Sequence, residues 1–398
     1  MSDLPLSNLL ILDFTEGMAG PTCAQHFADF GARVIKIQST AVANSERFLA
    51  GARRYGPDGA FSAIDVGAQR NKERMLLNLK SSQGLRVAYQ LIAKADVLLE
   101  SNRPGVAERL GIGYEAVSKA RPEIVYGSLS GFGQTGPERQ RPGTDHVLQA
   151  YAGPMSVTGE QGRLSVRIGP STVDLLAGVH LAFGVMCALW ERSVTGKGQW
   201  VETSLYDAAL TMMSRDITQY SGSGELPEKF GGGFPFSSPY GNFMASDVEF
   251  FIGVSGNKMW ERFCQSAGFG DLLEDERFAT AQGRLVHRDA LYERLIPAFA
   301  KRPAAEWLAI AEESGVLQSR VNNVADIIEQ PQALAREMVV DIGIDNLKAA
   351  GIPIKLSRTP GQIRTSPHLP NEDADAILHE LGYSDGEIDA LRDSQAIA

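Results

Sequence analysis

A short apolar run, LLILDF ending at Phe14, is followed by a helical segment, CAQHFADFGA, closed by Gly31, and by RVIKIQ, ending at Gln38, which reads as a second strand. Runs of this length without polar alternation suit strands covered on both faces, and parallel strands need a crossover, usually a helix, to join them. The segment therefore predicts a β-loop-α-β unit of about thirty residues, the start of a parallel α/β sheet. The alternation continues: Met75–Leu79 reads as strand, GLRVAYQLIAKA as helix, DVLLES as strand, YEAVSKARP as helix and EIVYGSLSGF as strand. Sheets of this kind bind ligands beyond the carboxyl ends of their strands, so the loops EGMAGP, ESNRPG and SGFGQTGP should gather on one side.

Farther on, KGQWVETSLYDAALTMMS reads as strand then helix, after which SGSGELPEKFGGGFPFSSPYG is rich in Gly, Ser and Pro and reads as linker and loop. A hairpin-like NFMASDVEFFIGVS and the helical MWERFCQSAG and ALYERLIPAFAKR begin a second unit. The expected organisation is a large Rossmann-like domain over 1–220 completed by 340–398, a linker and glycine loop over 221–241, a smaller α+β domain over 242–325, and a return linker over 326–339. Two short helices around Gly382 are expected in the tail.

The 398 residues carry a formal net charge of -10, which argues against a nucleic-acid surface and against anionic membranes. The three cysteines, Cys23, Cys187 and Cys264, stand far apart and suggest neither a disulfide framework nor a zinc site. The opening MSDLPLSNLLILDF lacks the basic and apolar regions of a secretory leader. These features predict a cytoplasmic protein without a membrane span.

Between Arg167 and Glu191 the stretch IGPSTVDLLAGVHLAFGVMCALW contains one acidic residue, Asp174, four positions ahead of Gly178. An ionised carboxylate is rarely buried unpaired, since leaving water costs several kcal/mol without compensation. Ser171-x-x-Asp174 has the form of a capping box, which would place Asp174 in the first helical turn against unpaired N–H groups and the positive end of the helix dipole. The same placement would keep the carboxylate ionised, as a nucleophile must be. Cap and nucleophile are compatible readings, and the local pattern leaves both open.

Other candidates are less specific. Thr15–Pro21 could turn backbone N–H groups toward an anion, but Gly17 and Gly20 do not form GxGxxG, and Pro21 would equally suit a tight βα turn. Arg53, Arg54, Arg70, Lys72, Arg103, Arg109, Arg139 and Arg141 include groups suited to phosphate. The six histidines show no metal-ligand spacing, and His146 alone stands near a candidate active-site loop. Gly231–Gly233 permits positive φ and close backbone approach, as either a closing loop or a linker.

The blocks LDFTEGMAGPTCAQHFADFGARVIKIQ, NKERMLLNLKSSQG, RPGVAERLGIGYEAVSKARPEIVYGSLSGFGQTGP and GKGQWVETSLYDAAL, with SPYGNF and LHELGYSDGEI after them, together resemble the class III CoA-transferases, the family of formyl-CoA:oxalate and L-carnitine CoA-transferases. The resemblance implies an interlocked, ring-like homodimer acting on acyl-CoA and an organic acid, with no cofactor and no metal. It carries the nucleophile to Asp174, within Gly169-Pro170-Ser171-Thr172-Val173-Asp174 and Gly178. It assigns CoA binding to Gly17, Met18, Ala19, Lys72, Asn102, Arg103 and Arg109, and a loop over the intermediates to Gly231–Gly233, with Gly232 and Gly233 as catalytic glycines. Ser39 and Met18 stand where the oxalate enzyme has a basic residue and a glutamine, which points away from oxalate. Met18, Phe234 and Phe236 suggest a less polar pocket. A related α-methylacyl-CoA racemase would carry Gly-His-Asp where this chain has Gly143-Thr144-Asp145, with His146 beyond. A non-catalytic CoA-binding subunit is the remaining alternative, against which the presence of Asp174 speaks.

Overall fold

The computed structural model describes residues 4–40 and 53–398. The chain divides into two compact units, the first made of Met1–Pro154, Arg167–Ser221 and Pro331–Ala398, the second of Met155–Val166 and Gly222–Gln330.

The first unit is built on a parallel sheet of six strands: β1 (Leu10–Phe14), β2 (Arg33–Gln38), β3 (Lys72–Leu76), β4 (Val97–Glu100), β5 (Val125–Ser130) and β6 (Trp200–Ser204). Their order is 3-2-1-4-5-6, with every neighbouring pair parallel. This is the doubly wound dinucleotide-fold order, whose direction of winding reverses between β1 and β4. Successive residues point to opposite faces, so Ile11 and Leu99 enter one core while Leu12 and Leu98 enter the other. On the first face lie α1 (Ala19–Asp29) and, after α2 (Ser82–Ile92), α3 (Tyr114–Ala120) and α4 (Asp145–Tyr151) in chain order, the long α5 (Thr172–Thr195) and α6 (Leu205–Met212). The second face is covered by α2, α3 and the tail helices Ala374–Glu380 and Asp385–Asp393. The last residues close the sheet edge: Ile397 bridges Leu77, Asn78 N–H donates to the Ala396 carbonyl at 2.9 Å, and both tail residues are buried.

Strand β3 begins at Lys72, three residues before the start expected from its apolar residues. The charged ends of Lys72 and Arg74 are bound inside the domain, so the strand lacks the uniformly apolar pattern of a buried one. Helix α5 is long and apolar enough, by length and composition, to cross a membrane. Here its buried face, including Val173, Ala177, Leu181 and Val185, belongs to the core against the sheet. Leu175, Val179, Phe183, Met186, Trp190 and Val194 remain exposed at spacings of three and four, one continuous stripe on the opposite side. Gly196, at φ 72°, ends the helix in the left-handed conformation that glycine adopts without strain.

In the second unit β7 (Tyr240–Met244), β8 (Glu249–Gly253) and β9 (Leu317–Arg320) form an antiparallel sheet in that order, backed by helices Asn257–Ala267, Arg288–Phe299 and Ala304–Glu313. Phe250, Trp260, Phe263, Phe299 and Trp307 fill its core. Arg284 is wholly enclosed there and faces carbonyls instead of a carboxylate, donating to Ser238 O at 3.0 Å, Phe278 O at 3.1 Å and Gly256 O at 3.1 Å. Its guanidinium also lies 5.1 Å from the Trp260 ring centroid. Residues 155–166, expected within the large domain, group with this unit because they bond to the glycine loop. Gly231 N–H donates to Gly159 O at 2.8 Å, and Lys229 Nζ donates to Arg163 O at 2.9 Å.

Candidate active site

The loops after β1 and β4 meet at the reversal of winding. Glu16 N–H donates to Ser101 Oγ at 2.8 Å, joining the two. Each strand carries, at or next to its last residue, a carboxylate that shapes its own loop. Asp13 Oδ1 accepts Thr15 N–H at 3.0 Å and Thr15 Oγ1–H at 2.5 Å, and Glu100 Oε2 accepts Asn102 N–H at 2.7 Å. Burial raises the Glu100 carboxyl above the ordinary range. For Asp13 burial acts the same way, but the Lys36 and Lys72 charges and Thr15 prevail and hold it at about 2.

Gly17 and Arg103 are exposed on this edge, and Met18 and Asn102 are half-buried beside them. Ala19 is buried as the first residue of α1. Arg109 is exposed on the short helix Val106–Arg109, which follows from the β4 loop. The fold therefore brings Gly17, Met18, Asn102 and Arg103 together at one strand edge.

Lys72 does not join them. Its ammonium is fully enclosed, donating to Asp13 Oδ2 at 3.1 Å and to Pro21 O at 2.9 Å, so a direct CoA contact is corrected to an internal one. Burial lowers it to about 8 despite the neighbouring Asp13.

Asp174 occupies the first turn of α5, as the sequence implied, but the capping box does not form. Ser171 makes no side-chain cap bond. The acceptor comes from outside the helix: Asp145, buried at the start of α4, receives Val173 N–H at 2.9 Å and Asp174 N–H at 3.3 Å on Oδ2. Gln149, one turn along α4, donates to Asp145 Oδ1 at 2.7 Å and accepts Ile168 N–H at 2.8 Å, which fixes the approach to α5. With its own amide partner supplied by Asp145, the half-buried Asp174 carboxyl is raised by burial and by the Asp145 charge from 3.8 to about 6. The helix terminus does not hold it below the ordinary carboxylate range. Asp174 is ionised at neutral pH, yet basic for an aspartate.

Gly178 sets the position of this helix. A Cβ there would lie 2.5 Å from Ala19 O and 3.1 Å from Thr22 Cβ, so α5 crosses the start of α1 in backbone contact. One helical turn, about 5.4 Å of rise, separates that contact from Asp174. The carboxylate is thereby held near the loop carrying Gly17 and Met18.

In the second unit Gly231 has φ 57°, whereas Gly232 and Gly233 are not in the left-handed region and answer to close approach instead. A Cβ at Gly232 would coincide with the Asn242 amide, and one at Gly233 would lie 2.9 Å from Phe230 O. Phe234 meets Phe236 edge to face and Tyr240 at a tilt, with ring centroids 5.4 and 5.1 Å away.

Sequence reasoning passed over Asp145, seeing it only beside Thr144. The signal available was its spacing from Gln149, an i,i+4 pair able to bond along one helix face. Thr144, at the position of the racemase histidine, is exposed, as is His146.

A doubly wound parallel sheet with a raised, half-buried aspartate at the start of α5 marks a candidate enzyme site of the α/β class. The family model for CoA-transferase family III matches residues 6–375, and the chain belongs to that family. It is 34% identical to an acetyl-CoA:oxalate CoA-transferase of Acetobacter aceti, over 89% of each chain. It is 30% identical to a succinyl-CoA:mesaconate CoA-transferase of Haloarcula hispanica, over 96% of this chain and 97% of the other. A crystal structure of a CAIB/BAIF family protein from Brucella suis superposes with a TM-score of 0.89 at 30% identity, covering 96% of this chain and all of that one. The protein is a CoA-transferase.

Proposed function

We propose that this enzyme moves CoA from an acyl-CoA donor, succinyl-CoA being the first choice, to a small carboxylic acid, with Asp174 as the covalent nucleophile. The observation that carries this reading is the raised, half-buried Asp174 at the start of α5, one turn before Gly178, where that helix meets Ala19. A desolvated carboxylate is a better nucleophile than a solvated one and is still ionised at neutral pH.

An Asp174 oxygen attacks the thioester carbonyl carbon, the C–S bond breaks, and CoA leaves as thiolate from a mixed anhydride. The thiolate then attacks Asp174 Cγ, expelling the donor acid as carboxylate and leaving an aspartyl-CoA thioester. An acceptor carboxylate attacks the same Cγ and expels thiolate, giving a second anhydride. Attack of thiolate on the acceptor carbonyl forms the new acyl-CoA and restores Asp174. Each step exchanges one acyl bond for another, so the sequence calls for neither ATP nor metal. Both anhydrides must be shielded from water, the role we assign to Gly231–Gly233.

The loop of Gly17, Met18 and Ala19 with Asn102, Arg103 and Arg109 would receive CoA; its support is the convergence of these residues at the reversal of winding. We further assign a homodimer, in keeping with the exposed apolar stripe from Leu175 to Val194 on α5. The relatives named for oxalate and for mesaconate leave the acceptor to experiment.

Incubating the protein with succinyl-CoA and hydroxylamine or borohydride should modify Asp174, read by peptide mass, and Asp174→Ala should lose both adduct and turnover. Solvent deuterium entering an α-carbon, with no CoA passing to any of a panel of acids, would instead establish the racemase chemistry. A monomer by light scattering would remove the dimer.

A further inference from the structure

Lys72 is one of three charged side chains enclosed beneath the β1 loop. Asp13 and Lys36 are cross-strand partners on β1 and β2, and Lys72 opens β3 beside them. All three side chains are fully buried, with Asp13 Oδ1 3.4 Å from Lys36 Nζ and Asp13 Oδ2 3.1 Å from Lys72 Nζ.

We propose that Asp13, Lys36 and Lys72 are positioning residues that hold residues 15–21 in the shape that receives the anionic CoA portion of the substrate. This rests on the assignment of that loop to CoA made above.

The cluster grips the loop at both ends. Lys36 Nζ donates to the Thr15 carbonyl, and Asp13 accepts both the amide and the hydroxyl of Thr15. Lys72 Nζ donates to Pro21 O at 2.9 Å, in the first turn of α1. Between these anchors the chain doubles back so tightly that a Cβ at Gly20 would lie 2.3 Å from Thr15 Cβ. The loop's path is thus set from below, by bonds that leave Gly17 and Met18 free to face a ligand.

The charge balance argues for more than stability. Two lysines share one carboxylate, and burying ions is a poor way to stabilise a core, which well-packed apolar side chains serve as well or better. The excess positive charge lies under the amino end of α1, whose dipole has the same sign. Both favour an anion on the loop above.

A second buried pair in the same unit provides the control. Arg70 and Asp29, 2.7 Å apart, stand at the opposite end of α1 and bond to the chain at Ala350. Lys72→Met and Lys36→Met, the latter sparing the Asp13–Lys72 pair, should each raise the Kd for CoA by calorimetry and the KM for succinyl-CoA. The expected rise is roughly tenfold or more, as for other misplaced binding groups. The kcat should change much less, and amide hydrogen exchange should quicken at residues 15–19. Arg70→Met should lower the Tm while leaving CoA affinity in place. Unchanged CoA affinity in both lysine variants, or an equal loss in Arg70→Met, would overturn the proposal while CoA transfer by the wild type stands. A wild-type protein that neither binds CoA nor forms the Asp174 adduct overturns this reading and the proposed function together.

Discussion

Asp145 Oδ2 accepts the amides of Val173 and Asp174, at 2.9 and 3.3 Å, so one buried acid carries the turn on which the other is displayed. The bonds fix the geometry of the nucleophile, and the charge makes it more basic.

Replacing that charge separates the two effects. Asp145→Asn keeps an acceptor oxygen but removes the repulsion, so the acidic limb of kcat/KM, expected near pH 6 in the wild type, should move to lower pH. Asp145→Ala also strands the two amides and should cost about 1–2 kcal/mol in urea unfolding. An acidic limb that stays in place in Asp145→Asn would show that burial alone raises Asp174.

The nucleophile should destabilise its own fold. With the folded value of Asp174 near 6 and the unfolded one near 3.8, the native state holds the proton more tightly between those values. Stability attributable to this group is therefore present below about pH 4 and lost as pH rises through 6. Asp174→Asn should be inactive and, at pH 8, more stable by about 2–3 kcal/mol. The gain should vanish near pH 4, as compared by urea melts at both pH values.

Gly178→Ala tests the crossing of α1 and α5. The added methyl would press on Ala19 O, which is backbone and cannot swing aside. A loss of about 1–3 kcal/mol is expected, as for overpacking elsewhere. Turnover should fall more steeply than stability, because the displaced turn carries Asp174. Wild-type kinetics in a folded Gly178→Ala variant would detach the helix crossing from catalysis.

Arg284→Met should weaken the second unit by about 3 kcal/mol or more, since three enclosed carbonyls lose their donor. Burial lowers the guanidinium to about 10, so it is charged throughout the neutral range and the loss should not depend on pH there. Calorimetric melting of the intact protein would record it.

The sheet was legible in the sequence because parallel strands buried on both faces leave short apolar runs, and β1, β2, β4 and β5 fall where those runs lie. Strand β3 was displaced because Lys72 and Arg74 look like surface residues until their partners are known. Helix Ser214–Ser223 has few apolar residues, and two of them, Ile217 and Tyr220, stay exposed, so little in it announced a helix packed on a core. Asp174 was recognisable by its isolation and by the family blocks around it. Its true cap was not, since Asp145 lies 29 positions away and meets it through the tertiary fold alone. The same holds for Lys72: as a residue type it suits phosphate, and burial settles its actual partners.

The seal of the sheet edge by Leu77, Ala396 and Ile397 joins residues far apart in the chain. Pairings of long sequence separation form late in folding, because closing so long a loop costs entropy before the contact rewards it. Until then the edge beyond β3 presents unpaired N–H and C=O groups, and the apolar seat of Ala396 and Ile397 stands open. The bridge that finishes the sheet is thereby also its guard against edge-to-edge association with another copy.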